Sequence, residues 1–308
     1  MEKNQSVTKG IFTAEVVANT VVRDCFRRIS LVLDADGSSA FAEAMPGQFA
    51  ELDMCGAALP VGSAIPKELA DCASRQIILR RPFSFADITV KGGSQIELTI
   101  LYHVLGPATV RMTTLQAGDR LSVIGPLGNG FSLPRSKKTA LLVAGGMGSP
   151  PLEHLSRFLR DTQPNLDVQF FAGARTLENF PFRANTNAGV SVSEFSHLQG
   201  KIHLATDDGS AGFTGFVTDH VAKWLKDNAP VTDDTIIYAC GPEPMLAGIA
   251  KLAGDKKIDC EVSMERMMAC GIGLCQSCAV KATSAGDSVY KLCCKDGPVF
   301  DSEDVVFE

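Results

Sequence analysis

The sequence lacks any apolar run near the roughly 18 residues that a membrane-spanning helix requires, so no membrane span is expected. Basic charge is also short: 29 Lys and Arg stand against 35 Asp and Glu, and the formal net charge of −6 argues against a nucleic-acid surface. Met1-Glu2-Lys3-Asn4-Gln5-Ser6 has no apolar core of the kind a signal peptide needs. Internal repeats, low-complexity tracts and an obvious linker are missing as well. Cysteine is plentiful by contrast. Ten in a soluble-looking chain with 45% apolar and 21% charged residues suggest a reducing, cytoplasmic setting, where thiols stay free or bind metal. A length of 308 residues allows two or three domains.

Five of the cysteines have a telling arrangement. Cys270, Cys275 and Cys278 follow C-x4-C-x2-C, and Cys293 and Cys294 stand some fifteen residues further on. The first three spacings match the loop around a plant-type [2Fe–2S] cluster. Gly271 and Gly273 let the backbone curl so that its N–H groups face cluster sulfurs. A structural zinc site would more commonly pair two short knuckles across a long gap. From the residues alone, the fourth thiolate is either Cys293 or Cys294.

Residues 1–134 read as short strands broken by turns, the pattern of a closed or nearly closed antiparallel barrel. Strands are expected at Phe12–Asn19, Phe26–Leu33, Ile96–Tyr102 and Asp119–Ile124. Within this stretch Arg80-Arg81-Pro82-Phe83-Ser84 combines guanidinium, rigid proline and hydroxyl, which suits a planar anionic ligand. Residues 135–258 change to strand–loop–helix. Lys138–Ala144 is a short buried strand, and Gly145-Gly146-Met147-Gly148-Ser149-Pro150 turns from it into a helix, exposing N–H groups to a phosphate. Further strands are expected at Val168–Ala172, Lys201–Thr206 and Thr235–Ala239, and an amphipathic helix over Phe216–Asp227. Such alternation gives a parallel, doubly wound sheet with its ligand beyond the strand C-terminal ends. Asp207 and Asp208 lie at one such end, suited to ribose hydroxyls or to simple solvation. Cys240-Gly241-Pro242 lies at another, with Cys240 expected to pack near a nicotinamide and not to act as a nucleophile.

Together, and in this order, these segments resemble the ferredoxin–NADP reductase superfamily, and more narrowly the electron-transfer subunits of NAD-dependent dihydroorotate dehydrogenases. Arg81-Pro82-Phe83-Ser84 resembles the flavin-binding R-P-x-S. Leu101-Tyr102-His103 and Ala108-Thr109 fall where that family meets FAD again. Gly145-Gly146-Met147-Gly148-Ser149-Pro150 resembles G-G-x-G-x-x-P, Cys240-Gly241-Pro242 matches C-G-P, and Cys294-Lys295-Asp296-Gly297-Pro298-Val299-Phe300 resembles C-x-D-G-P-V-F. His103 replaces a common arginine, Ala108 a common glycine, and residues 55–75, with Cys55 and Cys72, look like an insertion with no assigned role.

The resemblance implies a flavin-binding β-barrel domain over 1–134, an NAD-binding α/β domain over 135–258 and a [2Fe–2S] domain over 259–308, with Cys294 as the fourth ligand. It implies FAD, the cluster and NAD as cofactors, and an oxidoreductase subunit that does not itself bind dihydroorotate. Electrons would come from the FMN of a catalytic subunit in a heterotetramer serving pyrimidine biosynthesis. They would leave to NAD+, the acidic Asp207 and Asp208 favouring NAD over NADP. Since the cofactors carry the chemistry, no catalytic acid or base is assigned. The same motifs fit the small subunit of an NADH-dependent ferredoxin–NADP reductase or sulfide dehydrogenase, and a non-redox protein with structural zinc is the alternative of another class.

Overall fold

In the computed structural model, residues 9–61, 65–134, 136–185, 191–284 and 286–307 are described; the expectation for Met1–Ser6 lies outside them. Seven strands make the first sheet: β1 (Gly10–Arg23), β2 (Phe26–Leu33), β3 (Phe49–Leu52), β4 (Arg81–Ser84), β5 (Asp87–Val90), β6 (Ile96–His103) and β7 (Arg120–Leu127). All neighbours are antiparallel, in the order β4-β3-β7-β1-β2-β6-β5. Apolar side chains such as Ile29, Leu31, Ile100 and Val123 fill the inside of this curved sheet, and α1 (Ala35–Phe41) closes it with Phe41. β1 runs well past the expected Phe12–Asn19. As the central strand it is paired on both sides, and a register shift between Val16 and Ala18 breaks the alternation that would have marked its full length.

Alternation along β3 decides which of its side chains leave the barrel. Ala50 and Leu52 enter the barrel core, whereas Phe49 joins the core shared with the second sheet. Glu51 lies on Phe49's side of the pleat. Across the ladder Glu51 faces Pro82 and Phe49 faces Ser84, so Pro82 and Ser84 share this outer face, while Phe83 packs inward. Two small helices, α2 (Ala70–Ala73) and α3 (Pro107–Met112), pack together at the barrel's side.

The second sheet contains β8 (Thr139–Gly145), β9 (Asp167–Ala174), β12 (Ile202–Thr206), β13 (Phe213–Thr214), β14 (Thr235–Cys240), β15 (Asp259–Ser263) and β18 (Val299–Asp301), in the order β13-β12-β9-β8-β14-β15-β18. β10 (Ala184–Asn185) and β11 (Ser191–Val192) form a separate two-stranded ladder. All pairs in the main sheet are parallel except β15 with β18. β8 is apolar nearly throughout because α4 (Ser149–Thr162) covers one face of the sheet and α5 (Val217–Asn228) and α6 (Glu243–Lys256) the other. From β8 the chain winds outward through β9 to β12, then crosses to β14 and β15. The reversal puts a crevice between the C-terminal ends of β8 and β14.

The cysteine-rich segment follows β15 as a loop and then a hairpin, β16 (Ala279–Ser284) and β17 (Asp287–Leu292). The chain then returns to the sheet edge as β18. The line expected at residue 258 therefore does not mark the edge of the second sheet, which takes two strands from the C-terminal stretch.

Candidate functional site

The crevice opens into a cavity of about 550 Å³ lined by Gly145, Gly146, Gly173, Asp207 and Pro242, with Phe26 and His103 contributed by the barrel. The loop after β8 is glycine-rich for steric reasons. Gly146 has φ +50°, and a Cβ on Gly148 would lie 1.9 Å from the Cys240 carbonyl oxygen. Backbone there touches backbone, so the loops after β8 and β14 are held together as one wall. Cys240 sits at the end of β14 with its thiol pushed up to about 12, chiefly by burial, which suits a packing role and not a nucleophile. Asp208 is taken up locally, its Oδ1 accepting from Ser210 N–H at 3.0 Å and from Ser210 Oγ at 2.6 Å. Asp207 alone of the two acids lines the cavity, as do Arg175 and Asn179, neither of which the motifs pointed out.

On the barrel side, His103 stacks on Phe26 at 4.4 Å between ring centroids and has Nε2 2.9 Å from Cys25 Sγ. Burial lowers its pKa, which favours the neutral ring. Leu101 lies on the same side of β6 as His103, but Tyr102 alternates into the barrel core, where its hydroxyl donates to Asn19 Oδ1 at 3.0 Å. Ala108 is also core. Thr109 caps its own helix, its Oγ1 accepting the N–H of Leu105 and Gly106 at 2.9 and 3.1 Å. Arg81 opens β4 with its guanidinium bonded only to the carbonyls of Leu79 and Arg80, and among the described residues no carboxylate forms an ion pair with it. Its remaining N–H groups are open to a phosphate, while Pro82 and Ser84 present the outer face of the strand. These features fit a flavin dinucleotide.

The thiols fit an iron–sulfur cluster in pairs. Cys278 and Cys294 place their sulfurs 3.3 Å apart, and Cys294 N–H points at Cys278 Sγ at 3.5 Å. Cys275 N–H points at Cys270 Sγ at 3.4 Å. Two irons with two terminal thiolates each would use such pairs, and thiolates this close require a cationic centre between them. Among the described residues no three potential ligands already converge on a single mononuclear point. Cys293 looks away: it is fully buried, and its Sγ donates to Met264 O at 3.2 Å. The curl of the loop uses φ +66° at Gly271 and +86° at Gly273.

The iron–sulfur cluster binding domain of dihydroorotate dehydrogenase B matches residues 265–306, and an oxidoreductase NAD-binding domain matches residues 142–251. The dihydroorotate dehydrogenase B (NAD(+)) electron transfer subunit of Caldanaerobacter subterraneus subsp. tengcongensis is 34% identical over 239 residues, 78% of this chain and 85% of that one. The chain belongs to the family of dihydroorotate dehydrogenase B electron transfer subunits. The family member from Desulforamulus reducens is 30% identical over 298 residues, 97% of this chain and 99% of its own. Among solved structures, that of an NADH-dependent reduced ferredoxin-NADP oxidoreductase superposes with a TM-score of 0.70 at 25% identity, covering 96% of this chain and 90% of that one. The family's fold, a half-barrel beside a parallel nucleotide-binding sheet and an iron–sulfur segment, is the one seen here.

Proposed function

We propose that this chain is the electron-transfer subunit of an NAD-dependent dihydroorotate dehydrogenase, taking electrons from the FMN of a catalytic partner subunit and delivering them to NAD+ in pyrimidine biosynthesis. The observation that carries this is the convergence of three sites: the cluster loop abuts Glu51 on the outer face of β3, the strand paired with β4, and that barrel opens onto the cavity at the β8–β14 crevice. FAD, when bound, exchanges hydride with a nicotinamide and single electrons with a [2Fe–2S] cluster, which is why it belongs between them. The protein's own groups orient and shield. Arg81, Pro82 and Ser84, with Leu101 and His103, would hold the flavin, and Phe83 would anchor that strand from the barrel core. Gly145, Gly146 and Gly148 admit the pyrophosphate of NAD at the helix N-terminus, and Asp207 takes the ribose. Cys240, Gly241 and Pro242 wall the nicotinamide end. Cys270 with Cys275, and Cys278 with Cys294, would hold the two irons of the cluster. Tyr102, Ala108 and Thr109 act at one remove, by shaping the barrel wall behind the flavin, and Asp208 by fixing the turn that carries Asp207.

The domains are assigned as 1–134 for flavin, 135–258 for NAD and 259–308 for the cluster, with β15 and β18 serving both of the last two. The location proposed is the cytoplasm, a reducing compartment that suits ten cysteines none of which is in a disulfide, and the assembly proposed is a heterotetramer with the catalytic subunit. The test is reconstitution. The isolated chain should show flavin and iron–sulfur absorption and NADH–dye activity but no dihydroorotate oxidation, and adding the FMN subunit should bring dihydroorotate-dependent NAD+ reduction. Dihydroorotate oxidation by the chain alone, or a colourless zinc protein, would refute it. The fold shared with the NADH-dependent ferredoxin-NADP oxidoreductase favours one second reading, a subunit of such an enzyme. Ferredoxin-linked NADP+ reduction in place of the dihydroorotate reaction would establish it.

A further inference from the structure

Among the described residues, Glu51 stands out as a buried carboxylate with both oxygens unpartnered, its exposure being 0%. Buried carboxylates are costly unless paired, so one left bare calls for a reason. Its position is specific. It stands on the outer face of β3 beside Pro82, on the face that Ser84 shares. The other side of the carboxylate is the cluster loop: a Cβ on Gly271 would lie 2.6 Å from Glu51 Oε1 and 3.0 Å from its Cδ. Gly271 thus lacks a side chain for two reasons, its φ of +66° and the carboxylate against it. Glu51 fills the gap between the strand that carries the flavin motif and the loop that carries Cys270.

The charges around it do not neutralise it by contact. Arg80 and Arg81, from the entry to β4, act on it at a distance. Arg80 is engaged by Ser122, at 2.9 Å to both its carbonyl and its hydroxyl, and lies 3.5 Å from Asp53; Arg81 is engaged by the carbonyls of Leu79 and Arg80. The facing residue on β7 is Ile124, which brings no charge. From the loop comes the backbone of Gly271, which brings no charge.

We propose that Glu51 is a tuning residue for the electron step between cluster and flavin, its buried charge lowering the reduction potential of the cluster beside it. This rests on the electron-transfer function proposed above. The charge acts through space in a poorly screened gap, where an unpaired carboxylate disfavours added negative charge nearby. Burial pushes the Glu51 carboxyl up to about 7, against the pull of Arg80 and Arg81. The charge is therefore present above that pH and lost below it, and the potential of the wild-type cluster falls as pH rises through neutrality.

The experiment is a redox titration of the full chain, with its flavin and cluster bound, followed by electron paramagnetic resonance at several pH values. Glu51→Gln keeps the shape and removes the charge. Its cluster should titrate at a higher potential than wild type at pH 8.5 and lose the fall across neutrality, while Glu51→Asp should keep the fall. Equal potentials in wild type and Glu51→Gln at pH 8.5 would overturn the role of Glu51 and leave the electron-transfer function standing. Loss of the cluster in Glu51→Gln would overturn it too, showing a residue that holds the loop and does not tune it. A wild-type chain without any iron–sulfur resonance would sink the electron-transfer function itself, and this role with it.

Discussion

Cys293 and Cys294 are neighbours with opposite duties, set by which way each side chain leaves the turn after β17. Cys294 reaches Cys278 at 3.3 Å, and Cys293 donates to Met264 O at 3.2 Å inside a packed core. Cys294→Ser should abolish the iron–sulfur absorption of the purified protein. Cys293→Ala should keep it and lower stability by about 1–3 kcal/mol in chemical denaturation, the cost of orphaning a buried acceptor and leaving a small void. The opposite pattern would show that the register of the loop is misassigned. The first three thiols were legible from spacing, because they lie on one tight loop whose geometry is local. The choice between 293 and 294 was open at that level, since it depends on how a hairpin docks against a distant loop. Glu51 was not legible at all. A lone acid in a four-residue strand looks like a solvated edge, and its burial is decided by Gly271, far along the chain.

Among the elements, α4 does more than cover the sheet. Its Glu153, with a side chain only 2% exposed, takes two hydrogen bonds from Arg28 of β2 at 3.1 and 3.0 Å, and Arg157 lies 2.8 Å away. Arg157 in turn reaches Asp87 of β5 at 2.9 Å. A helix of the nucleotide-binding sheet is thereby clamped to two strands of the barrel, and the cavity walls that come from both are held in register. Glu153→Ala leaves Arg28 without its carboxylate partner inside that interface. It should cost about 3–5 kcal/mol, read as a lower midpoint in urea unfolding. A loss below about 1 kcal/mol would mean that the clamp is no stronger than an exposed ion pair. The helix itself was readable from its glycine-rich start and apolar spacing. The clamp was not, because its four charges are scattered over two domains and look like ordinary surface residues. The expected strands fell in place for a similar reason: alternation and apolar runs are local, whereas β3 and β5 are short and owe their existence to their neighbours.

At the scale of the whole molecule, the cluster end has an apolar surface. Met267 is 90% exposed, Leu274 77%, Tyr290 74% and Ile272 49%, all on the cluster loop or its hairpin. We propose this surface beside the cluster thiols as the docking face for the catalytic subunit. Leu274→Asp should weaken capture of that subunit about tenfold or more while leaving flavin and cluster spectra unchanged, measured by co-purification and titration. Undiminished capture would place the partner elsewhere. The three-part organisation was visible in the order of motifs; the continuity of the second sheet into the C-terminal stretch was not, because β18 is three residues long and pairs with β15 across the whole cluster segment.

That pairing governs the kind of carrier this molecule can be. Both ends of the cluster segment are strands of one sheet, and Asn129 of the barrel side bridges to Pro298 between them. A redox group hung on a flexible tether delivers its electron by diffusing to and fro, and its speed depends on tether length and solvent viscosity. A group stapled at both ends has no search to make. The separation between the cluster loop and the barrel face is then set at folding and does not wait on the swing of a tether.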